Sequence, residues 1–293
     1  MLNSAPLLYW IEARDAIRVA RELDMPAPWT TDPILLKYRF CNVRRAHDRV
    51  SKWIITHILH PYAHHENLWL MAAIARYINW TPTLQEIMDA GLWPVQANLF
   101  PFLSIAEVVE ARTARGEQAW TGAYMIRAES NANAEWYNWT KARYVLEKVI
   151  KRELWDDRAT ILAAIATNSL ETVHSTICGR YGWGSFMTGQ LVADLSYAPP
   201  LWTASDLYTW APIGPGSRRG LNRLAGRPLD FNLHQAQAVE EMRELRFDVV
   251  SELGVDFDDL TLHDIQNCLC EVDKYLRVET GEGRPRSHFV PHN

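Results

Sequence analysis

The residues best equipped to hold an anion gather between Cys178 and Pro228, a stretch that opens CGRYGWGSFMTGQLVADL and closes WAPIGPGSRRGLNRLAGRP. Its second half, Gly214-Pro215-Gly216-Ser217-Arg218-Arg219-Gly220, sets two guanidiniums among glycines. Glycine has no Cβ and lets backbone amides close on an anion, while arginine grips two oxygens at once. Arg223 and Arg227 extend the cluster, and Leu221 and Leu224 give the period of a helix that follows. A helix start of that kind offers unpaired N–H groups to phosphate. The same residues also fit a plain connection between core helices, with the arginines merely solvated. Neither a P-loop nor a dinucleotide fingerprint is present: no Gly-x4-Gly-Lys-Ser/Thr run occurs, and no strand precedes the turns.

A second group lies near the start of the chain. Arg45, Asp48, Arg49 and Lys52 are spaced to share one helical face, and Asp48 stands one turn from Arg44. One reading is a solvated face of i,i+4 ion pairs. The other is a cationic cluster with its own carboxylate, suited to holding an anion and moving a proton, with Cys41 and Asn42 beside it.

Positioning these groups falls to helices. Amphipathic periodicity predicts a helix over 3–24, then a turn-rich Met25–Thr30 and a helix capped by Thr31 or Asp32 with Pro33 at its first position. Further helices are predicted over 67–78, 83–90, from a Ser104 cap to Arg115, 134–152 and 157–169. Tyr181–Gly184 reads as a turn before a helix through Leu195. Asp230–Leu233 is expected to cap a helix from His234 to about Leu253, and Thr261 the last helix, with Leu262, Ile265, Leu269, Val272 and Leu276 as its buried stripe. Gly122–Ile126 is the single run that could form a strand. The fold class is therefore all-α: one helical domain of about a dozen helices over residues 1–279, with 280–293 as a loose polar tail.

At 293 residues with 48% hydrophobic and 22% charged content, the chain can bury a full core, and no apolar run reaches membrane-spanning length. A net charge of −5 argues against indiscriminate nucleic-acid binding but leaves room for a local basic groove. The 13 tryptophans include faces on which bases could stack, although most should be core. The four cysteines form no C-x-x-C pair and follow no secretory signal, which points to reduced thiols in a cytosolic protein. His60, His64 and His65 are read as structural or exposed, and no spacing calls for a metal.

Several segments, in order, resemble one family: the alpha-glutamyl/putrescinyl thymine pyrophosphorylase clade, also described as the helical domain of hydroxymethyluracil DNA kinase. They are Pro28-Trp29-Thr30 through Val50 (RFCNVRRAHDRV), Gly122-Ala123-Tyr124, Gly182-Trp183-Gly184-Ser185-Phe186 with Asp194-Leu195, and GPGSRRGLNRL at 214–224. LHDIQNCLCEVDKY at 262–275 resembles the family's closing motif. The resemblance covers roughly residues 26–277. It implies a DNA-glycosylase-like helical fold and a role in hypermodifying thymine in bacteriophage DNA, in the cytoplasm of an infected bacterial host cell. In such pathways 5-hydroxymethyluracil in DNA is phosphorylated or pyrophosphorylated, and an amine such as glycine then displaces the pyrophosphate. Lack of a P-loop favours the displacement step, which makes the chain an amino acid:DNA transferase whose partners are modified DNA and a free amino acid or amine.

That chemistry needs cations for the leaving pyrophosphate, a base to take the proton of the amine so that it attacks neutral, and an arginine for an amino-acid carboxylate. Arg218, Arg219, Arg223 and Lys274 are assigned to pyrophosphate or DNA phosphate, and Arg44 and Arg49 to phosphate or the amino-acid carboxylate. Asp48, Asp230 and Asp273 are the candidate general bases, with His234 behind them. Asp230 could instead be only a cap, and Asp273-Lys274 an ion pair at a helix end. No cofactor is demanded; Mg²⁺ accompanying pyrophosphate would be unsurprising. The alternatives are a hydroxymethyluracil (pyro)phosphorylating enzyme, a DNA glycosylase using Asp194 or Asp230, and a non-catalytic DNA-binding module.

Overall fold

The computed structural model describes residues 2–94, 101–123, 125–126, 128, 131–283, 285 and 288–289. Tyr124, at the centre of the possible strand, lies outside them, as do 95–100 of the loop after Trp93 and most of 284–293. The described residues are all-helical. In chain order the helices are α1 (Ala5–Glu22), α2 (Pro33–Lys37), α3 (Arg49–Ile54), α4 (Leu68–Ile78), α5 (Thr81–Asp89), α6 (Phe102–Ala114) and α7 (Lys141–Arg143). They continue with α8 (Arg158–Ala166), α9 (Leu170–Ile177), α10 (Ser185–Leu195), α11 (Pro215–Leu224), α12 (Gln235–Leu253) and α13 (Leu262–Glu279). None is long and apolar enough to cross a membrane. Contacts divide the chain into two compact units, Met1–Asp48 with Asp206–Asn293, and Arg49–Ser205.

The first unit is built around α13, which packs against α1, α2, α11 and α12. Leu262, Ile265, Leu269 and Val272 are fully buried, as their spacing requires, and Leu276 is partly buried. The start of α13 is fixed reciprocally: Thr261 Oγ1 accepts the Asp264 amide, and the Asp264 carboxylate accepts the Thr261 amide at 3.0 Å. Asp32 caps α2 by accepting the amides of Ile34 and Leu35, with Pro33 at the first position. Beyond α13, the Phe289 amide donates to the Lys37 carbonyl at 3.0 Å, tying that part of the tail to α2.

Helix α11 begins inside the glycine-rich stretch instead of after it. Gly216 and Gly220 are helical residues on the side facing α13. A Cβ on Gly216 would stand 2.9 Å from Cys270 Sγ, and one on Gly220 only 2.4 Å from the Leu269 carbonyl oxygen. These two glycines serve close helix packing, not an anion-binding loop.

In the second unit α4 is buried on every side, and α9 and α10 flank the Gly179–Gly184 turn. Trp183 anchors that turn: it is fully buried, its indole N–H donates to the Val149 carbonyl at 2.9 Å, and its ring meets the edge of Tyr77. Gly182 has φ +81° and no room for a Cβ, which would lie 2.5 Å from Val149 Cγ1. The single helix expected over 134–152 does not form. Thr140 caps a helix that starts at Lys141 and widens into π-helical turns over Tyr144–Arg152.

Candidate active site

The segment Cys41–Arg45 runs along α13, and helical periodicity explains how. Cys41 N donates to Glu271 Oε2 at 3.0 Å, Asn267 Nδ2 to the Asn42 carbonyl at 3.4 Å, and Arg45 N to Asp264 Oδ1 at 2.9 Å. Residues 264, 267 and 271 recur at three and four along one face of α13, so one helix satisfies successive backbone groups of the segment. Arg14 closes the other side. Its Nε donates to the Cys41 carbonyl at 3.0 Å and its Nη2 to Asn42 Oδ1 at 2.7 Å. Its Nη1 is buried without a hydrogen-bond partner among the described residues.

Asp48 follows this segment and accepts the Asn42 amide at 2.8 Å. Burial pushes its carboxyl above the usual range; the Asn42 amide, Arg45 and Arg14 pull it back in part, while Glu271 adds to the rise. Glu271 also binds Lys274 Nζ at 2.7 Å, and that ammonium stands 4.5 Å from the centre of the Phe40 ring. Around Cys41 the chain thus assembles a carboxylate of raised pKa with Arg14, Arg45, Glu271 and Lys274. Such a carboxylate takes up a proton more readily than a free aspartate does, and the cations can meet a phosphate or carboxylate. Burial pushes the Cys270 thiol up to about 12 and raises Cys41 and Cys268 as well, which disfavours the thiolate form a nucleophile would need.

The other residues singled out by sequence fall in different places. Arg45–His47 is a 3-10 turn, Arg44 and Asp48 are extended, and α3 begins at Arg49. The shared helical face of Arg45, Asp48, Arg49 and Lys52 therefore does not exist. Arg44 is committed to Asp259, with Nη2–Oδ1 at 2.6 Å, and lies 3.7 Å from Asp15. Arg49 is exposed and belongs to the second unit. Asp273 is almost fully buried and surrounded by Arg223 at 2.7 Å, Arg219 at 3.3 Å and Arg277 at 3.5 Å. It is an ion-pair hub, not a free base, and its pairing is with these arginines, not with Lys274. Arg223 is also held by Glu282. Arg218 has no ion pair among the described residues, and its Nε is buried without a hydrogen-bond partner. Asp230 is exposed in a turn and caps nothing; α12 starts after His234, itself exposed with no side-chain cap.

Asp194 is equally unavailable to act as a base. It is 1% exposed and bound by Arg76 through two hydrogen bonds, one of 2.6 Å from Nε to Oδ2. A cavity of about 450 Å³ lies along α12, lined by Leu2, Glu240, Arg243, Glu244, Phe247 and Asp248, and its three carboxylates suit it poorly to polyphosphate. Among the described residues no three His, Cys, Asp or Glu side chains converge to hold a metal ion.

The sequence pattern of the family described as "5-hmdU DNA kinase, helical domain" matches residues 4–284. The chain belongs to that family. It is also similar to a 5-hmdU DNA kinase of Bacillus phage SP10, at 24% identity over 281 residues, covering 87% of this chain and 42% of that protein. The chain of this helical-domain family therefore spans less than half of that relative's length. No solved structure matches it. The resemblance found in the motifs thus holds at the level of the family.

Two members of the site carried a sequence signal that motif reading passed over. Arg14 falls on the buried stripe of α1 with Leu7, Trp10, Ile11 and Ile17. Glu271 sits on the buried side of α13, 8% exposed. A charge at a core position must be paired or functional.

Proposed function

We propose that this helical domain acts on the 5-hydroxymethyl position of uracil in bacteriophage DNA, with Asp48 as the proton acceptor. The observation that carries the reading is Asp48 itself: a carboxylate pushed up by burial, held by the Asn42 amide and set among Arg45, Glu271 and Arg14. The favoured reaction is displacement. The nitrogen of an amino acid attacks the exocyclic methylene carbon, a C–N bond forms, the C–O bond breaks, and its electron pair leaves with pyrophosphate. Asp48 takes the proton from the amino acid's ammonium group beforehand, so that the neutral amine's lone pair forms the C–N bond. Lys274 and Arg218 are assigned to the departing pyrophosphate, whose charge grows as the bond breaks, and Mg²⁺ would arrive with that group. Arg14, with a free Nη1, is assigned to the amino-acid carboxylate.

A second reading has a specific finding behind it, the name of the phage SP10 relative. Here the hydroxymethyl oxygen attacks the terminal phosphorus of a nucleoside triphosphate, the diphosphate leaves, and Asp48 takes the hydroxyl proton. The same base serves both reactions. Mass spectrometry of nucleosides from treated DNA separates them. Pyrophosphorylated hydroxymethyluracil DNA supplied with amino acids should yield a nucleoside in which the amino acid's nitrogen is bonded to the 5-methylene carbon. Hydroxymethyluracil DNA supplied with ATP should stay unchanged. A phosphorylated nucleoside in the second reaction and none in the first would replace displacement by the kinase. No product in either would remove both.

A further inference from the structure

The second unit carries a set of cations laid over aromatic rings that the chemistry above does not use. Arg143 lies 4.4 Å from the centre of the Trp139 ring, and Arg152 lies 6.0 Å from the same ring and 5.4 Å from Trp136. Lys148 stands 4.8 Å from Trp136 and 5.0 Å from Tyr181, and Lys141 stands 4.8 Å from Trp120. Trp136 and Trp139 sit in the turn before α7, and Tyr137 between them is 45% exposed. The cations come from Lys141–Arg152, a short segment whose helical turns bring Arg143, Lys148 and Arg152 to Trp136 and Trp139 of the preceding turn.

Charge balance decides what such a face would bind. Within 135–153 stand five cations, counting Lys151, against the carboxylates of Glu135, Glu147 and Glu153. Those three carboxylates pair with Arg152, Lys151 and Lys148. Arg143 and Lys141 have no ion pair among the described residues, and Arg143 is exposed. The excess is positive in a chain whose net charge is −5. Base faces stack on exposed aromatic and guanidinium planes without regard to sequence, and phosphates take the cations.

We propose that this face binds single-stranded DNA, with a base stacked on the exposed Tyr137 and the backbone phosphates along Lys141 and Arg143, the two cations without an ion pair among the described residues. Stacking requires unpaired bases, so the occupant is an open strand and not a closed duplex. The proposal gives the modified-DNA reading a place to hold a strand, and rests on that reading only for its biological sense.

The test is fluorescence anisotropy of the full chain with a labelled, unmodified oligothymidylate and a duplex of equal length, across a salt series. The single strand should bind more tightly than the duplex. Arg143→Gln should reduce the slope of log K against log salt by about 0.7, the loss of one phosphate contact on a single strand. Tyr137→Ala should weaken binding about tenfold with the slope unchanged, and Tyr137→Phe, which keeps the stacking face, should restore it. Both residues are exposed, so the fold should survive, and unchanged far-ultraviolet circular dichroism would confirm that. Tighter duplex binding, or both variants binding as the parent does, would overturn the proposal. Because the probe carries no hydroxymethyluracil, strand binding without any modified nucleoside product would sink the reaction and leave this surface standing. Product formation with unaltered binding by the variants would do the reverse.

Discussion

Gly220 on α11 and Leu269 on α13 meet so closely that a Cβ on the glycine would lie 2.4 Å from the leucine carbonyl oxygen. The obstacle is backbone, which cannot rotate aside, and Gly216 repeats the contact one turn earlier against Cys270. Gly220→Ala gains about 1 kcal/mol of helix propensity. That gain should be outweighed by overpacking, leaving a net loss of about 1–3 kcal/mol. Urea unfolding of the variant should show a lower midpoint; a midpoint at or above the parent's would mean that the helices separate freely.

This contact also marks a limit of the sequence. Glycines four apart beside two arginines compose equally well into an anion loop or a helix-packing face, and the partner that decides is some 50 residues downstream. The same holds for Asp48. Local spacing placed it on a helix, yet the residues before it, Cys41 and Arg45, are held by hydrogen bonds to α13, more than 210 residues away, and a 3-10 turn over Arg45–His47 leads into Asp48. Where the deciding interactions are local, the sequence was readable. The Asp32 and Thr261 caps, the Gly182 turn and the stripe of α13 all formed as their spacing requires. Of the proposed site, Asp48 and Lys274 were legible from residue type. Arg14 and Glu271 were legible only as charges set on an apolar helical stripe, a signal that reading for motifs passes over.

The Arg76–Asp194 pair should be a lock of the second unit. Both side chains are about 5% exposed or less, and Arg76 also reaches Asn79 at 3.0 Å and Ser51 at 3.2 Å. Arg76→Met alone leaves a buried carboxylate without its cation and should cost about 3–5 kcal/mol. Adding Asp194→Leu should return much of that loss, because the stranded charge goes with it. Chemical denaturation of the single and double variants checks this. A double variant less stable than the single one would show that the carboxylate has another essential partner.

Asp273 and Asp48 should part company under the same substitution. Asp273→Asn strips three arginines of their shared carboxylate and should cost about 3 kcal/mol of stability. Modification measured well below the lowered melting temperature should remain within about threefold of the parent. A loss of a hundredfold or more in a folded Asp273→Asn protein would restore Asp273 as a base and displace Asp48.

Asp48→Asn should trade activity for stability. Its carboxyl is raised in the fold, above all by burial, so the folded state binds its proton more tightly than the unfolded chain does. That contribution favours the fold fully at pH below the unfolded aspartate value of about 3.9, and it is lost as pH rises through the folded value. At neutral pH the ionised side chain is therefore a net cost. Asparagine removes the charge and can still accept the Asn42 amide through its carbonyl oxygen. The variant should melt above the parent at pH 7, and the difference should vanish as pH falls below about 3.9. Modification should drop by about 10²–10⁴-fold, the usual contribution of a positioned base. In the parent, the acid limb of the rate profile should lie above the pH at which a free aspartate titrates, and it should be missing from the residual activity of the variant. A variant that modifies DNA at the parent rate, whatever its melting temperature, would remove Asp48 from the reaction.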